Sequence, residues 1–119
     1  MNYVDGYVVP LPKKNLKAYK ALAKKSSKIW REHGALAYCE AAGDDLDVKW
    51  GHPFTKLLKL KKGETAVFAY IVYKSRAQRD RVNAKVMSDP RLAAMCDPKS
   101  MPFDCARITM GGFKVLVEA

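Results

Sequence analysis

Six segments of the chain alternate between strand and helix periodicity, and their order limits the possible fold more than any other feature. Strand segments are rich in β-branched and aromatic residues, whereas helix segments place apolar residues three and four positions apart. The segments are strand 3–11, helix 14–33, strand 35–43, strand 65–73, helix 76–88 and strand 105–117. This βαββαβ order predicts an α+β, ferredoxin-like fold built on one antiparallel sheet.

The two helices have recognisable ends in the sequence. In segment 14–33, apolar residues such as Leu16, Tyr19 and Ile29 recur on one face, and Gly34 is a typical residue for ending a helix. Ser75 is a favourable N-cap for the second helix. These signals indicate an amphipathic first helix that ends at Gly34 and a second helix that begins after Ser75.

Composition restricts the class of protein. With 119 residues, of which 49% are hydrophobic, the chain is predicted to form a single domain over residues 1–119. The three cysteines, Cys39, Cys96 and Cys105, include no Cys-x-x-Cys pair, so we expect no disulfide framework and no metal site. Asp5 interrupts the N-terminal apolar stretch and no run is long enough to span a membrane, which favours a cytoplasmic protein without membrane contact.

Segment 65–73 is apolar on both of its faces. Because two helices can cover only one face of a four-stranded sheet, the second face needs another cover. Two explanations are available: the sheets of two copies pack face to face in a homodimer, or segment 44–62 folds over the sheet of one chain. We expect the homodimer, and the role of segment 44–62 is otherwise undetermined from the sequence.

Polar residues at core positions are the candidates for a binding site. Asp5 lies inside a predicted strand, where carboxylates are disfavoured, and Arg79 and Asn83 fall on the apolar arc of the second helix. Such groups either satisfy one another, as in an ion pair of Asp5 with Arg79 or Arg107, or line a pocket. The candidate ligand-binding residues are Asp5, His33, Arg79, Asn83, Asp104 and Arg107. No residue pattern assigns a catalytic residue, and we expect no cofactor.

The net charge of +10 supports an alternative function. Lys17, Lys24 and Lys28 lie on the polar face of the first helix and could bind the phosphates of a nucleic acid. Net charge also serves solubility, and the known nucleic-acid-binding modules have signatures that this sequence lacks. A solvated helix face is therefore the simpler interpretation, and a nucleic-acid partner is not expected.

Three stretches together resemble one family of proteins. They are Tyr3–Val9, Ser75–Leu92 and Met101–Phe113, and they resemble the YbaA-like family of small bacterial proteins, whose function is unknown. The resemblance implies the dimeric α/β-barrel superfamily, in which two ferredoxin-like protomers join their sheets. That superfamily includes cofactor-independent monooxygenases and isomerase-like proteins, with a pocket between the sheet and the helices of each protomer. The first helix of this chain is richer in lysine than is typical of the family.

These observations favour a small-molecule-binding, dimeric α/β-barrel protein whose ligand is anionic or aromatic. An oxygenase-like or isomerase-like activity that needs no cofactor is compatible with the resemblance. Two alternatives stay open: a nucleic-acid-associated protein that acts through the lysine-rich first helix, and a structural dimer without catalysis.

Overall fold

The computed structural model describes residues 2–119, which form one mixed sheet-and-helix structure. Short 3-10 turns at Lys13–Asn15 and Cys105–Arg107 precede the first long helix and the last strand. The strands and helices are β1 (Tyr3–Pro12), α1 (Leu16–Glu32), β2 (Ala37–Ala42), α2 (Phe54–Leu57), β3 (Glu64–Tyr73), α3 (Arg76–Met87), α4 (Pro90–Met95) and β4 (Thr109–Lys114).

The four strands form one antiparallel sheet in the order β2-β3-β1-β4. β1 occupies a central position, so that Asp5 lies opposite Ile71 on β3 and Gly112 on β4. With α1 and α3 as the two long crossovers, this topology is the ferredoxin-like fold. The α+β class and the fold predicted from the segment order are confirmed.

Both long helices cover the same face of the sheet. One core cluster joins Ile29 of α1 to Ile71 of β3 and to Val82 of α3, and each of these side chains is almost fully buried. A second cluster, built on Leu11, Tyr19 and other residues, fills the space near the start of α1. Strand residues alternate between faces, so every second residue of β1 and β3 contributes to this core.

The helix ends follow from the residues that the sequence places there. Gly34 has a positive φ of 118°, which glycine adopts readily and which ends α1. The hydroxyl of Ser75 accepts a hydrogen bond from the backbone N–H of Gln78 at 3.1 Å, which caps α3 as predicted. α1 begins later than predicted, because residues 13–15 form a 3-10 turn instead of its first helical turn.

The last strand is shorter than the predicted segment 105–117. The Asp104 carboxylate accepts a hydrogen bond from the N–H of Ala106 at 3.0 Å, which stabilises the turn over 105–107. At the other end of the strand, Tyr3 and Lys114 form the last residue pair between β1 and β4. Beyond it, the Val115 N–H donates one more hydrogen bond, to the Asn2 carbonyl. β4 therefore covers residues 109–114.

The face of the sheet that the helices leave uncovered is uncharged, and we call it the open face. Its residues are Val4, Gly6, Val8, Ala37, Cys39, Ala41, Phe68, Tyr70, Val72, Thr109, Gly111 and Phe113. Segment 44–62 covers only one end of this side of the sheet, where Leu46 and Phe54 lie beside Ala66. Phe68 and Phe113 keep 51% and 62% of their surface exposed, so residues 2–119 leave most of the open face uncovered.

Candidate functional site

A cavity of about 170 Å³ lies between the sheet and the helices. The sheet forms its floor, α1 forms one wall, and α4 together with segment 96–108 forms the other side. Its lining residues are Tyr7, Val9, Tyr19, Leu22, Ala23, Ser26, Trp30, Tyr38, Glu40, Ala69, Ile71, Leu92, Met95, Cys96, Met101, Phe103 and Ile108. Cys96 is exposed to solvent, which places the mouth of the cavity at the end of α4.

The Glu40 carboxylate is the charged group on the lining of this mostly apolar cavity. It lies on β2, two residues after Tyr38, so both side chains point to the helix-covered face. The Tyr38 hydroxyl donates to Oε2 of Glu40 at 2.6 Å, and the Tyr19 hydroxyl donates to Oε1. The two tyrosines, one from β2 and one from α1, thus hold the carboxylate in place from opposite sides.

The tyrosines of the cavity are hydrogen-bond donors at neutral pH. Burial raises the pKa of Tyr19 and of Tyr38, and the bonds to Glu40 raise both further because the carboxylate favours the protonated phenol. Burial, with a smaller contribution from the Asp5 carboxylate, raises the pKa of Tyr7 to about 12. All three hydroxyls therefore keep their protons across the physiological range.

The Tyr7 hydroxyl is a free polar group on the floor of the cavity, as the Ser26 hydroxyl is on the α1 wall. Among residues 2–119, it makes no hydrogen bond to another side chain or to the backbone, whereas Tyr19 and Tyr38 both bind Glu40. A phenol that keeps its proton and has no partner can donate to a molecule in the cavity. Tyr7 thus adds a donor to the carboxylate acceptor that Glu40 supplies.

Aromatic rings form the rest of the wall. The rings of Tyr19 and Phe103 meet edge to face with centroids 5.5 Å apart, and those of Trp30 and Tyr38 are 6.2 Å apart. The Trp30 indole N–H donates to Oδ1 of Asn83 at 3.3 Å, which fixes the orientation of the indole from outside the cavity. The cavity is therefore suited in volume and in the chemistry of its lining to an aromatic ring.

Three of the six candidate residues predicted from the sequence form a partly buried cluster beside this cavity. The Arg79 guanidinium donates to the Asp5 carboxylate at 2.7 Å and lies 5.0 Å from the centre of the Tyr3 ring. Asn83 accepts from the hydroxyl of Tyr73 at 3.3 Å. Burial raises the pKa of Asp5, and the positive charge of Arg79 acts in the opposite direction. The ion pair considered as an alternative is thus present, and the cluster does not line the cavity.

The other three candidate residues lie apart from this cluster and from the cavity lining. His33 contacts the Asp89 carboxylate at 2.8 Å, at the end of α1. Arg107 donates to both oxygens of Glu64, at 2.6 and 3.0 Å, and Asp104 caps the neighbouring turn. Each of these side chains has a partner in the fold, and ligand binding by the six residues stays a prediction.

The lysines of the alternative anion site, Lys17, Lys24 and Lys28, are exposed on α1. Their binding to nucleic acid also stays a prediction. No group of three or more metal-ligating side chains occurs within residues 2–119. Over the same residues, the structure contains no helix with the length and apolar character needed to cross a membrane.

Sequence reasoning did not assign to a site the polar residues that do line the cavity, namely Tyr7, Tyr19, Ser26, Tyr38 and Glu40. A signal was available for one of them. Glu40 is a carboxylate inside a predicted strand, on the same face as Tyr38. Carboxylates are disfavoured inside strands, and the same argument made Asp5 a candidate. Its pairing with Tyr19 could not be found, because that contact depends on how α1 crosses β2.

The fold places this chain in the class of ferredoxin-like α+β proteins, and solved structures with the same fold support this. A dimeric ferredoxin-like protein from an uncultured marine organism superposes with a TM-score of 0.64 and 12% identity, covering 99% of this chain and 98% of the other. A mutant of SnoaB, a cofactor-independent oxygenase from Streptomyces nogalater, gives a TM-score of 0.64 at 8% identity, covering 98% of this chain and 95% of the other. At such low identity these likenesses establish the fold alone.

The sequence itself identifies the family. The family described as "Protein of unknown function (DUF1428)" matches residues 2–105, and the chain belongs to this family. The uncharacterized protein YbaA of Escherichia coli strain K12 is 37% identical over 118 residues, covering 99% of each chain. The resemblance to the YbaA-like family is therefore confirmed.

Proposed function

We propose that this protein binds a small organic molecule in the cavity between the sheet and the helices. One observation carries the proposal: an apolar cavity of about 170 Å³ holds a carboxylate that two tyrosine hydroxyls fix in place. A cavity with apolar walls and a few oriented polar groups is the usual form of a small-molecule site. A purely structural core would gain stability by filling this space with side chains.

The cavity favours an aromatic ligand over an anionic one. Within the part of the chain that the structure describes, its lining contains no lysine, arginine or histidine, and its charged group is the Glu40 carboxylate. A second negative charge placed beside this carboxylate would be repelled in surroundings of low polarity. Of the two ligand classes expected from the sequence, the geometry therefore supports the aromatic one.

Assembly as a homodimer through the open face is part of the proposal. The face is uncharged and largely exposed, whereas the chain as a whole carries a net charge of +10. Two copies can approach closely where this charge is absent, and burying an apolar sheet face supplies the driving force. A structure of the same fold belongs to a protein described as dimeric, which agrees with this arrangement.

Catalysis is not needed for this function. A reaction without a cofactor, as in the oxygenase of the same fold, would require a group that takes a proton from the substrate. Glu40 is the carboxylate on the lining, and each of its oxygens already accepts a hydrogen bond from a tyrosine. The geometry therefore supports binding more directly than proton abstraction.

Binding of toluene to the cavity tests the proposal. Trp30 lines the cavity, so its fluorescence in a Trp50→Phe background, which removes the other tryptophan, should change with saturation as toluene is added. Ala23→Phe fills the cavity and should abolish this change. Ala21→Phe adds the same ring at an exposed position of α1 and should bind toluene like the parent protein. A parent protein that shows no saturable change would disprove cavity binding.

A further inference from the structure

The cavity volume limits the ligand to about one aromatic ring. An engineered apolar cavity of roughly 150 Å³ holds one benzene molecule, and this cavity measures about 170 Å³. The difference leaves room for a substituent of one or two heavy atoms on the ring. Larger fused-ring molecules would have to displace side chains of the lining or extend through the mouth of the cavity.

Two polar groups of the cavity define what that substituent must do. Each Glu40 oxygen accepts one hydrogen bond from a tyrosine, and a carboxylate oxygen can accept a second. The Tyr7 hydroxyl has a proton to donate and no partner among residues 2–119. A substituent that donates to Glu40 and accepts from Tyr7 would satisfy both groups, and a hydroxyl does this with one atom.

A charged amine would meet only half of this requirement. A protonated amine can donate to Glu40, but it has no lone pair for Tyr7 to donate to. An unsubstituted ring would leave the Tyr7 hydroxyl without a partner and would add no bond to Glu40, which has a cost when water is displaced. Neutral phenols therefore fit the two groups better than amines or hydrocarbons of equal size.

We infer that the ligand of this protein is a neutral, single-ring phenol whose hydroxyl lies between Glu40 and Tyr7. This inference rests on the proposed function, because it assumes that the cavity is the binding site. The ring lies against Trp30 and Phe103, the aromatic side chains of the two walls. No covalent step is part of the inference, which concerns recognition alone.

Methionine methyl groups provide a direct measurement. Met95 and Met101 line the cavity, whereas Met87 and Met110 are exposed elsewhere, so ¹³C-methyl spectra contain both reporters and internal references. Phenol, toluene and benzylamine are titrated separately at pH 7. Phenol is expected to bind about tenfold more tightly than toluene, since one hydrogen bond contributes roughly 1–1.5 kcal/mol. Benzylamine should bind more weakly than phenol.

The Tyr7→Phe variant isolates the hydroxyl contact. Because no residue in the described range 2–119 bonds to the Tyr7 hydroxyl, the variant should remain folded. It should bind phenol only slightly more tightly than it binds toluene. Tyr70→Phe, which changes a tyrosine of the open face, should retain the full preference for phenol. An unchanged preference in Tyr7→Phe would overturn the assigned contact.

The three ligands separate this inference from the proposal on which it rests. Equal affinities for phenol and toluene would overturn phenol recognition and leave the cavity as a binding site. Tighter binding of benzylamine would overturn it in favour of a cation. If no ligand shifts the Met95 and Met101 methyl signals, both the proposed function and this inference fail.

Discussion

At the scale of single residues, the structure distinguishes a polar pair held inside the fold from a polar group that faces the cavity. The Asp5–Arg79 pair has its partners inside the fold: the Asp5 carboxylate is almost fully buried and accepts from Arg79, and the guanidinium also contacts Asp80 and Tyr3. The Tyr7 hydroxyl on the cavity lining has no partner among residues 2–119. A buried group whose bonds are all internal stabilises the fold, whereas a group left without a partner beside a cavity is available to a ligand.

Removing the arginine of the buried pair should destabilise the protein. Arg79→Leu leaves the Asp5 carboxylate buried without a counter-charge, and we expect a loss of about 3 kcal/mol in the free energy of unfolding. The double variant Asp5→Asn/Arg79→Leu should recover part of this loss, because it also removes the negative charge of Asp5. Urea denaturation measures both, with Arg76→Leu at an exposed position of α3 as control. A loss in Arg79→Leu no larger than in the control would contradict the structural role of the pair.

The Glu64–Arg107 pair should make stability depend on acid pH. Hydrogen bonds from Arg107 lower the pKa of Glu64 from its ordinary 4.5 to about 2. Because the folded pKa is the lower one, the pair stabilises the protein above pH 4.5, and this contribution is lost as the pH falls to about 2. Glu64→Gln should therefore show a shallower decrease in stability over this range than the wild type. Glu118→Gln, at an exposed position, should follow the wild-type curve.

At the scale of elements, β4 shows how a strand is adapted to its neighbour. Gly112 lies opposite Asp5, and a Cβ atom there would come within 2.9 Å of three atoms of the Tyr3 side chain. Since the Tyr3 ring is buried against Arg79, it cannot move away at little cost. The glycine is thus required by the packing of β1, while the neighbouring Gly111 has space around it.

Two alanine substitutions in β4 test this requirement. Gly112→Ala should lower the free energy of unfolding by about 1–3 kcal/mol, because the tyrosine ring must shift. Gly111→Ala, whose added methyl would be no closer than 3.9 Å to the Phe113 ring, should be within about 0.5 kcal/mol of the wild type. Thermal or urea denaturation of the two variants gives the comparison. Equal losses would show that the packing against Tyr3 is not the cause.

How much of the molecule the sequence predicts depends on the range of the interaction. Periodicity and capping residues such as Ser75 are local signals, and they predict the order of the elements and therefore the fold. The end of β4 depends on its register with β1, which lies at the opposite end of the chain. The cavity depends on the approach of Tyr19 to Glu40, two residues whose sequence neighbours give no sign that they meet. Long-range packing is therefore what the sequence does not reveal.

At the scale of the whole molecule, the two faces of the sheet differ in what covers them. The helix-covered face encloses the cavity, while the open face is uncharged and uncovered over most of its area. If two copies associate through the open face, each cavity keeps its own mouth on the opposite side, at the end of α4 near Cys96. Dimer formation and ligand binding therefore use separate surfaces.

A charge placed on the open face should prevent association. Sedimentation velocity should find the wild type at twice the mass of the chain and Phe68→Lys at the mass of one chain, because the lysines of two copies would face each other across an apolar contact. Met87→Lys changes an exposed methionine of α3, away from the open face, and should remain dimeric. A monomeric wild type would show that the open face is not a dimer interface.

The central claim, that the cavity binds a single-ring molecule, is tested most directly by a crystal structure of the wild-type protein with iodobenzene. The anomalous signal of iodine locates the ring without reference to the protein density. The account predicts a peak inside the cavity, between the Trp30 and Phe103 rings and within contact of the β1 and β3 floor. Iodine peaks only on the outer surface, with the cavity unoccupied or closed by its own side chains, would contradict it.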